Sequence, residues 1–236
     1  ISNLNQKIEL FKKFGVNFII NKKFDRQFSK IQCNDFIKKI LFKKIKPNYI
    51  FVSNNFRFGN KRLGDIKLLK SFERKFNYKI INPSTLKKRG QVVSSTIIRG
   101  LLEKGNLQLA NKLLDRNWTI EGVVNEGRKM GKKIGFPTCN IDIGNYIISK
   151  PGVYAVKVHL QKSRKALKGI ANLGYRPTFN QKKILLEVNI FNFNGNLYNK
   201  KLSVEFIKFI RGERKFKGIK ELKRQIRSDI KIAKRY

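Results

Sequence analysis

Histidine occurs once in these 236 residues, as His159, and cysteine twice, as Cys33 and Cys139, far apart and without a Cys-x-x-Cys spacing. That leaves too little material for a zinc site or a histidine-based triad, and two separated thiols fit a reducing compartment better than a disulfide framework. Acids are scarce as well, 15 against 54 lysines and arginines. No apolar run approaches the ~18 residues that span a bilayer, and the opening ISNLNQKIELFKKF is amphipathic instead of signal-like. A soluble, cytoplasmic chain with no membrane partner is expected. Methionine appears only at Met130 and the first residue is Ile1, so the chain is expected to be N-terminally shortened.

What is present is charge and a sufficient core. The formal charge of +39 would, taken alone, suit a nucleic-acid binder that releases counterions from a phosphate backbone. Against this, the cations are spread along the whole chain, lysine greatly outnumbers arginine, and Lys, Asn and Ile are abundant throughout, as AT-rich coding would produce. Nucleic acid is therefore not expected as the main partner. A hydrophobic content of 41% over this length fills one large or two ordinary domains.

The first half alternates helical and strand-like patterns. Residues 2–14 carry Leu4, Ile8 and Phe11 on one helical stripe, and VNFII (16–20) reads as a short buried strand. Helices are expected over 34–45, capped by Asn34, and over 65–76, with strands at 48–53 and 78–82. Such alternation builds a parallel sheet with ligands beyond the carboxyl ends of its strands. Two further helices follow, STIIRGLLEKG closed by Gly105 and NLQLANKLLDR capped by Asn106.

After Trp118 the period becomes two. Strands are expected at 119–125, 152–160, 167–173, 184–193 and 202–209, with Asn194-Gly195 as a two-residue hairpin turn between the last two. Closely spaced strands with little helix between them suggest a small antiparallel barrel. A closing helix places Ile219, Leu222, Ile226 and Ile230 on one stripe. A domain boundary is expected between Leu114 and Trp118.

Two features carry chemistry. Gly127, Gly131 and Gly135 let backbone N–H groups approach an anion, and Arg128, Lys129, Lys132 and Lys133 surround them with positive charge. Pro137 stiffens the following segment, so Thr138 and Asn140 project to one side and offer hard oxygen ligands for Mg²⁺ carrying ATP phosphates. The plainer reading is a glycine-rich turn that leads into a strand. In ILLEVNIFNF, Ile184, Leu186, Val188 and Ile190 share one face, and Glu187 stands on the other among apolar neighbours. It is either a general base for an attacking hydroxyl or an exposed barrel residue paired with a lysine.

The segments GRKMGKKIGFPTCNIDI, PGVYAVKV, GIANLGYRPTF, LEVNIFNFNGNLYNKKLSVEFIKFIRGERKF and ELKRQIRSDIKIA resemble, in order and spacing, bacterial riboflavin kinases over Trp118 to Tyr236. Upstream, FVSNNFRFGNKRLGD and VVSSTIIRGLLEKGNLQLANKLLDR are similar to the FMN adenylyltransferase domain that precedes this kinase in bifunctional FAD synthetases. The resemblance implies an α/β plus β fold. Residues 1–116 would be a Rossmann-like nucleotidyltransferase domain with an incomplete parallel sheet, and residues 117–236 an antiparallel riboflavin-kinase β-barrel with a C-terminal helix.

For the sites, the resemblance implies that Gly131, Lys132, Gly135, Thr138 and Asn140 bind ATP phosphates, with Thr138 and Asn140 at Mg²⁺. Glu187 would activate the 5′-hydroxyl of riboflavin, and Arg211 and Phe216 in the RGERKF loop would enclose the flavin. In the front domain Asn55 and Phe58 would lie along the nucleotide site, and Ser94, Ser95, Thr96 and Arg99 would hold phosphates at a helix start. Ser94 and Ser95 also suit plain helix capping. The implied partners are riboflavin, FMN and ATP.

Three departures from the family pattern stand out. Cys139 replaces a usual alanine, and Lys132 replaces a common arginine, exchanging a fork-shaped phosphate contact for a point charge. A Gly-x-x-His-x-Gly-His signature in the family's opening segment has no counterpart, so adenylyl transfer is expected either from a longer chain or not at all. Two rivals remain: a basic barrel that binds single strands through Phe179, Phe191 and Phe193, and a silent remnant that only binds flavin.

Overall fold

The amphipathic opening forms helix α1 (Leu4–Lys13), started by a capping box in which the Asn3 side chain accepts from the Gln6 N–H and the Gln6 side chain accepts from the Asn3 N–H. The structure, a computed structural model, describes all residues except 89, 128, 161, 162, 164 and 178–181, and describes 176, 177, 182 and 183 by backbone alone. Arg128 and Phe179 thus lie outside the described residues. Contacts group the chain into two units, Ile1–Phe14 with Val93–Tyr236, and Gly15–Val92.

In the Gly15–Val92 unit, α2 (Arg26–Ser29) and α3 (Cys33–Asp35) precede a wide i→i+5 helix at Phe36–Ile45. Strand β1 (Tyr49–Phe51) pairs in parallel with β2 (Lys79–Ile81), and α4 (Ile66–Ser71) and α5 (Glu73–Phe76) lie between them in sequence. Ile37, Val52, Phe58 and Leu69 form the core of this unit. A short hairpin, β3 (Lys87–Lys88) with β4 (Gln91–Val92), closes it.

Three expectations fail here. Asn34 sits inside α3, whose N-cap is Gln32 with no side-chain hydrogen bond, so Asn34 caps nothing. The helix expected over 65–76 breaks at Phe72 into two short pieces. Residues 16–20 form no strand, and Phe18 and Ile20 are 91% and 75% exposed. Among the described residues no neighbouring strand takes up their backbone groups, and a lone strand has nothing to stabilise it.

In the other unit, α6 (Ser95–Glu103) and α7 (Leu107–Leu114) begin with the caps Ser94 and Asn106, as the sequence indicates. Their apolar faces, Ile98, Leu102, Leu107, Ala110 and Leu113, share one core with the barrel. That barrel is built from β5 (Trp118–Asn125), β6 (Cys139–Asp142), β7 (Gly152–Leu160), β8 (Ala166–Pro177), β9 (Lys182–Ile190) and β10 (Lys201–Gly212), closed in the order β10-β5-β6-β9-β8-β7. Its interior is filled by Trp118, Tyr154 and Phe206, with ring centroids 4.6 Å (Trp118–Phe206) and 5.0 Å (Tyr154–Phe206) apart. Helix α1 belongs to this unit because Gln6 Nε2 donates to the Thr119 carbonyl and the Trp118 indole donates to that of Ile1.

The hairpin expected at Asn194-Gly195 is absent. Strand β9 pairs with β6 and β8, whereas β10 pairs with β5 and β7. The type I′ turn that Asn-Gly favours needs positive φ at both central residues, and in this connection the positive values fall at Asn192 and Asn199. The chain closes with α8 (Met130–Lys133) between β5 and β6, and with α9 (Ile219–Ala233), whose Ile230 and Ala233 pack on Val153, Ala155 and Ile170.

Candidate active site

Three adjacent strands carry the polar row of the site. Asn140 on β6 is the register partner of Glu187 on β9, and Glu187 is also the partner of Asn172 on β8. Flanking residues Ile141, Leu186, Val188, Ala171 and Leu173 are buried in the barrel. Period-two alternation therefore turns the row to the outer face.

The loop before β6 is shaped around Asn140 and Thr138. A Cβ on Gly127 would overlap the Asn140 amide, and one on Gly131 would overlap the Phe136 carbonyl and lie 3.1 Å from Thr138 Oγ1. Gly135 has open space but a φ of +90°, so it serves the turn. Asn189 Nδ2 donates to the Pro137 carbonyl at 2.6 Å, which pins the loop to β9. Asn140 Oδ1 is buried with no hydrogen-bond partner among the described residues. An unpartnered buried acceptor beside a hydroxyl is a donor set that fits a hard cation.

Two adjoining cavities meet at this row. One of about 270 Å³ is lined by Gly127, Lys129, Gly131, Thr138, Asn140 and Tyr198, together with Asn172 and Glu187. The other, of about 350 Å³, also touches Thr138, Asn172 and Glu187, and has walls of Val153, Ile170, Phe216, Leu222 and Ile226. The first is the more polar of the two, the second mainly apolar. Lys132 lies apart from both, in a groove of about 460 Å³ with Val124, Val188, Phe193, Leu197 and Tyr198. Gly135 lines none of these three cavities.

Arg211 reaches the apolar cavity from the end of β10, where two register shifts after Phe206 re-aim the strand. Its Nη2 and Nε donate to Asp229 Oδ2 at 2.8 and 3.0 Å, and its Nη1 donates to the Gly212 carbonyl. Asp229 is only 2% exposed and also accepts from Gln225 Nε2 at 2.6 Å. Arg214 donates to Gln225, and both guanidinium groups lie over the Phe216 ring, at 5.7 Å for Arg211 and 5.1 Å for Arg214. Loop and terminal helix are thereby one hydrogen-bonded assembly.

Cys139, between the two ligand candidates, donates its thiol to the Val188 carbonyl at 3.4 Å, and burial pushes its pKa up to about 11. It is a packing residue, and both cysteines are free.

In the Gly15–Val92 unit, Asn55 is an exposed turn residue beyond the carboxyl end of β1. Phe58 is buried, against the Gly64 backbone and the rings of Phe36 and Phe56. In the other unit, Ser94 Oγ accepts from the Ile97 N–H at 3.2 Å, so its capping role is realised, and Ser95, Thr96 and Arg99 are exposed on the first turns of α6. Phe191 and Phe193, candidates for base stacking, instead pack against core clusters.

Sequence reading did not single out Asn172 or Asp229, and it took Glu213 and Arg214 only as members of the RGERKF loop. Asn172 was visible in principle, as the one polar residue in the apolar run GIANL.

Residues 114–236 match the riboflavin kinase family model, and residues 1–97 match that of FAD synthetase. Over 239 residues the chain is 40% identical to the bifunctional riboflavin kinase/FMN adenylyltransferase of Buchnera aphidicola subsp. Schizaphis graminum, all of this chain aligning with 76% of that protein. This chain belongs to the riboflavin kinase/FMN adenylyltransferase family. The Escherichia coli protein of the same description is 34% identical, all of this chain covering 75% of it. A solved structure described as a macrolide-efflux protein from Streptococcus pneumoniae has a TM-score of 0.86 and 27% identity, over 99% of this chain and 75% of that one. Efflux is said of that protein only. Among the described residues here, no helix is long and apolar enough to cross a membrane.

Proposed function

We propose that this chain phosphorylates riboflavin to FMN at the barrel site, with ATP as donor, and that residues 1–116 belong to the machinery that adenylylates FMN to FAD. Membership of a family with both matched regions supports the two activities. For the kinase, the observation that carries the reading is the Asn140–Glu187–Asn172 row at the junction of a polar and an apolar cavity.

The apolar cavity suits a flavin ring, enclosed by Phe216 and the α9 stripe, with Arg211 holding loop and helix together through Asp229. The polar cavity suits the phosphates, with Lys129 and the Gly131 backbone at its wall. Thr138 Oγ1 and Asn140 Oδ1 would hold Mg²⁺, which supplies charge neutralisation on the ATP phosphates when bound. Lys132 adds positive charge from the neighbouring groove, whose apolar walls and Tyr198 ring suit a purine.

Glu187 accepts the proton of the riboflavin 5′-hydroxyl as that oxygen attacks the γ-phosphorus. The new O–P bond forms as the bond to the β-phosphate oxygen breaks, and ADP leaves. Most of the acceleration comes from holding both substrates in line.

In the front part, the open N–H groups at the start of α6, with Arg99 one turn on, suit ATP phosphates. Asn55 lies beyond the carboxyl end of a parallel strand, where nucleotides bind in such sheets, and Phe58 is buried in the core of the same unit.

The test is incubation with riboflavin, ATP and Mg²⁺ followed by chromatographic separation of the flavins with fluorescence detection. FMN is the expected product. Riboflavin that is bound but unchanged would reduce the protein to a flavin binder, and salt-sensitive binding of single strands without flavin affinity would favour the nucleic-acid rival.

A further inference from the structure

We infer that Glu213 is a specificity-determining residue: its carboxylate accepts hydrogen bonds from the hydroxyls of the ribityl chain and so selects flavins that carry that chain. This inference rests on the reading of the barrel site as a riboflavin kinase. A riboflavin with its ring in the apolar cavity and its 5′-hydroxyl at Glu187 must lay its chain along the surface that the two cavities share. That surface is made by Met130, Gly131, Thr138, Asn172, Glu187 and Glu213. The proposed reaction assigns Thr138 to the cation, the Gly131 backbone to the phosphates and Glu187 to the reacting hydroxyl. The polar side chains left for the 2′-, 3′- and 4′-hydroxyls are Asn172 and Glu213.

The strand beneath Glu213 leaves room for it. Gly174 is buried on β8, two residues after Asn172 and on the same face. A Cβ there would overlap Glu213 Oε1 and lie 3.6 Å from Asn172 Nδ2. Bare backbone thus lets the carboxylate settle against the strand, close to the Asn172 amide.

The bland alternative is a solvated loop carboxylate, since Glu213 is exposed. Its pairing counts against that. The two guanidinium groups nearest in the loop bond elsewhere, Arg211 to Asp229 and Arg214 to Gln225, and among the described residues no cation pairs with Glu213. In a chain with 54 lysines and arginines against 15 acids, a carboxylate left without a cation in a cavity wall is available to a ligand. An ionised carboxylate only accepts, through two oxygens, and hydrogen bonds to it are stronger than neutral ones. Neighbouring hydroxyls present the matching donors, whereas phosphate oxygens are repelled. Glu213 therefore suits the polyol chain and not the nucleotide, at the point where the two cavities meet.

The test is titration of the full chain, without ATP, by riboflavin and by lumiflavin, whose ring carries a methyl group in place of the ribityl chain, with flavin fluorescence as the readout. Wild type should prefer riboflavin. Glu213→Ala should weaken riboflavin binding about tenfold, the lower end for hydrogen bonds to a charged group because Glu213 stays open to water, and leave lumiflavin unchanged. Gly174→Ala, whose methyl group takes the place of the Glu213 carboxylate and whose backbone is not left-handed, should do the same. Glu213→Gln keeps one acceptor oxygen and should fall between. Equal weakening of both flavins would make Glu213 a scaffold of its loop, and undiminished riboflavin binding in Glu213→Ala would make it a solvated residue. Either result overturns the inference, as does a wild type that binds the two flavins alike. A wild type that binds neither flavin would instead overturn the kinase reading on which the inference rests. Unchanged melting temperatures of the ligand-free variants separate these results from misfolding.

Discussion

Asn140 and Glu187 are direct cross-strand neighbours on β6 and β9, one with a buried oxygen that has no partner among the described residues and the other with a carboxylate at the junction of two cavities. The proposed cation ligand and the proposed base thus stand side by side although 47 residues apart in sequence. Strand pairing makes their separation nearly independent of loop motion, which suits a reaction that depends on alignment.

Glu187→Gln keeps the shape and removes the proton acceptor. Turnover of riboflavin should fall about 100-fold or more while ATP binding stays nearly intact. Stopped-flow turnover together with calorimetric titration of the nucleotide checks both halves, and wild-type turnover would remove Glu187 from the mechanism.

Gly127→Ala tests the cradle. The new methyl group overlaps the Asn140 amide, and the Gly127 backbone is not left-handed, so alanine fits the chain but not the space. Asn140 should be displaced, with a loss of turnover of about 100-fold and little change in melting temperature without ligand. Added Mg²⁺ and ATP, which stabilise by about 2.7 kcal/mol at a hundred times Kd, should raise the melting temperature of the variant far less than that of the wild type. Equal shifts would show that Asn140 takes no part in nucleotide binding.

Asp229→Ala leaves the Arg211 guanidinium without its fork-shaped partner in a nearly buried setting. Loss of one partner of such a pair costs about 3–5 kcal/mol, which denaturant melts at constant slope would read directly. Riboflavin affinity should drop as well, since the RGERKF loop and α9 are joined through this contact. A loss under about 1 kcal/mol would place the pair among the weak exposed ones.

Alkaline stability has a definite sign. Burial raises the Cys139 thiol from 9.0 to about 11 and the Tyr154 phenol from 10.0 to about 12. Both groups are neutral when protonated, so the folded state holds these protons more tightly than the unfolded state does. Their contribution is complete below about pH 9 and is lost as pH rises, between 9 and 11 for Cys139 and between 10 and 12 for Tyr154. Melting temperatures recorded from pH 8 to 11 should fall above 9, and Cys139→Ala should flatten the first part of that decline. A flat wild-type profile to pH 11 would contradict the burial of both groups.

Much of this was legible in one dimension. Period-two alternation marked five of the six barrel strands but not the short β6, the Ser94 and Asn106 caps marked the starts of α6 and α7, and Ile226 and Ile230 marked the inner face of α9, because each signal depends on near neighbours in the chain. Glu187 was conspicuous as a carboxylate on an otherwise apolar strand, and Thr138 and Asn140 as oxygen ligands after a stiffening proline. The errors have the same origin. VNFII looks like a strand, and Asn194-Gly195 looks like a hairpin turn, only when the neighbours in space are left out.

The sequence by itself determined five of the six strands of the barrel, the face on which Glu187 stands and the chemistry that its residues offer, since backbone period and side-chain type are local properties. Only the tertiary structure decided that β6 and β8 flank β9 and that β10 does not. From that choice follow the Asn140–Glu187–Asn172 row, the space Gly127 leaves for Asn140, and the burial of Asp229 against Arg211. Strand order is set by which pairing closes the barrel around Trp118, Tyr154 and Phe206, a packing requirement to which residues far apart in the chain contribute together.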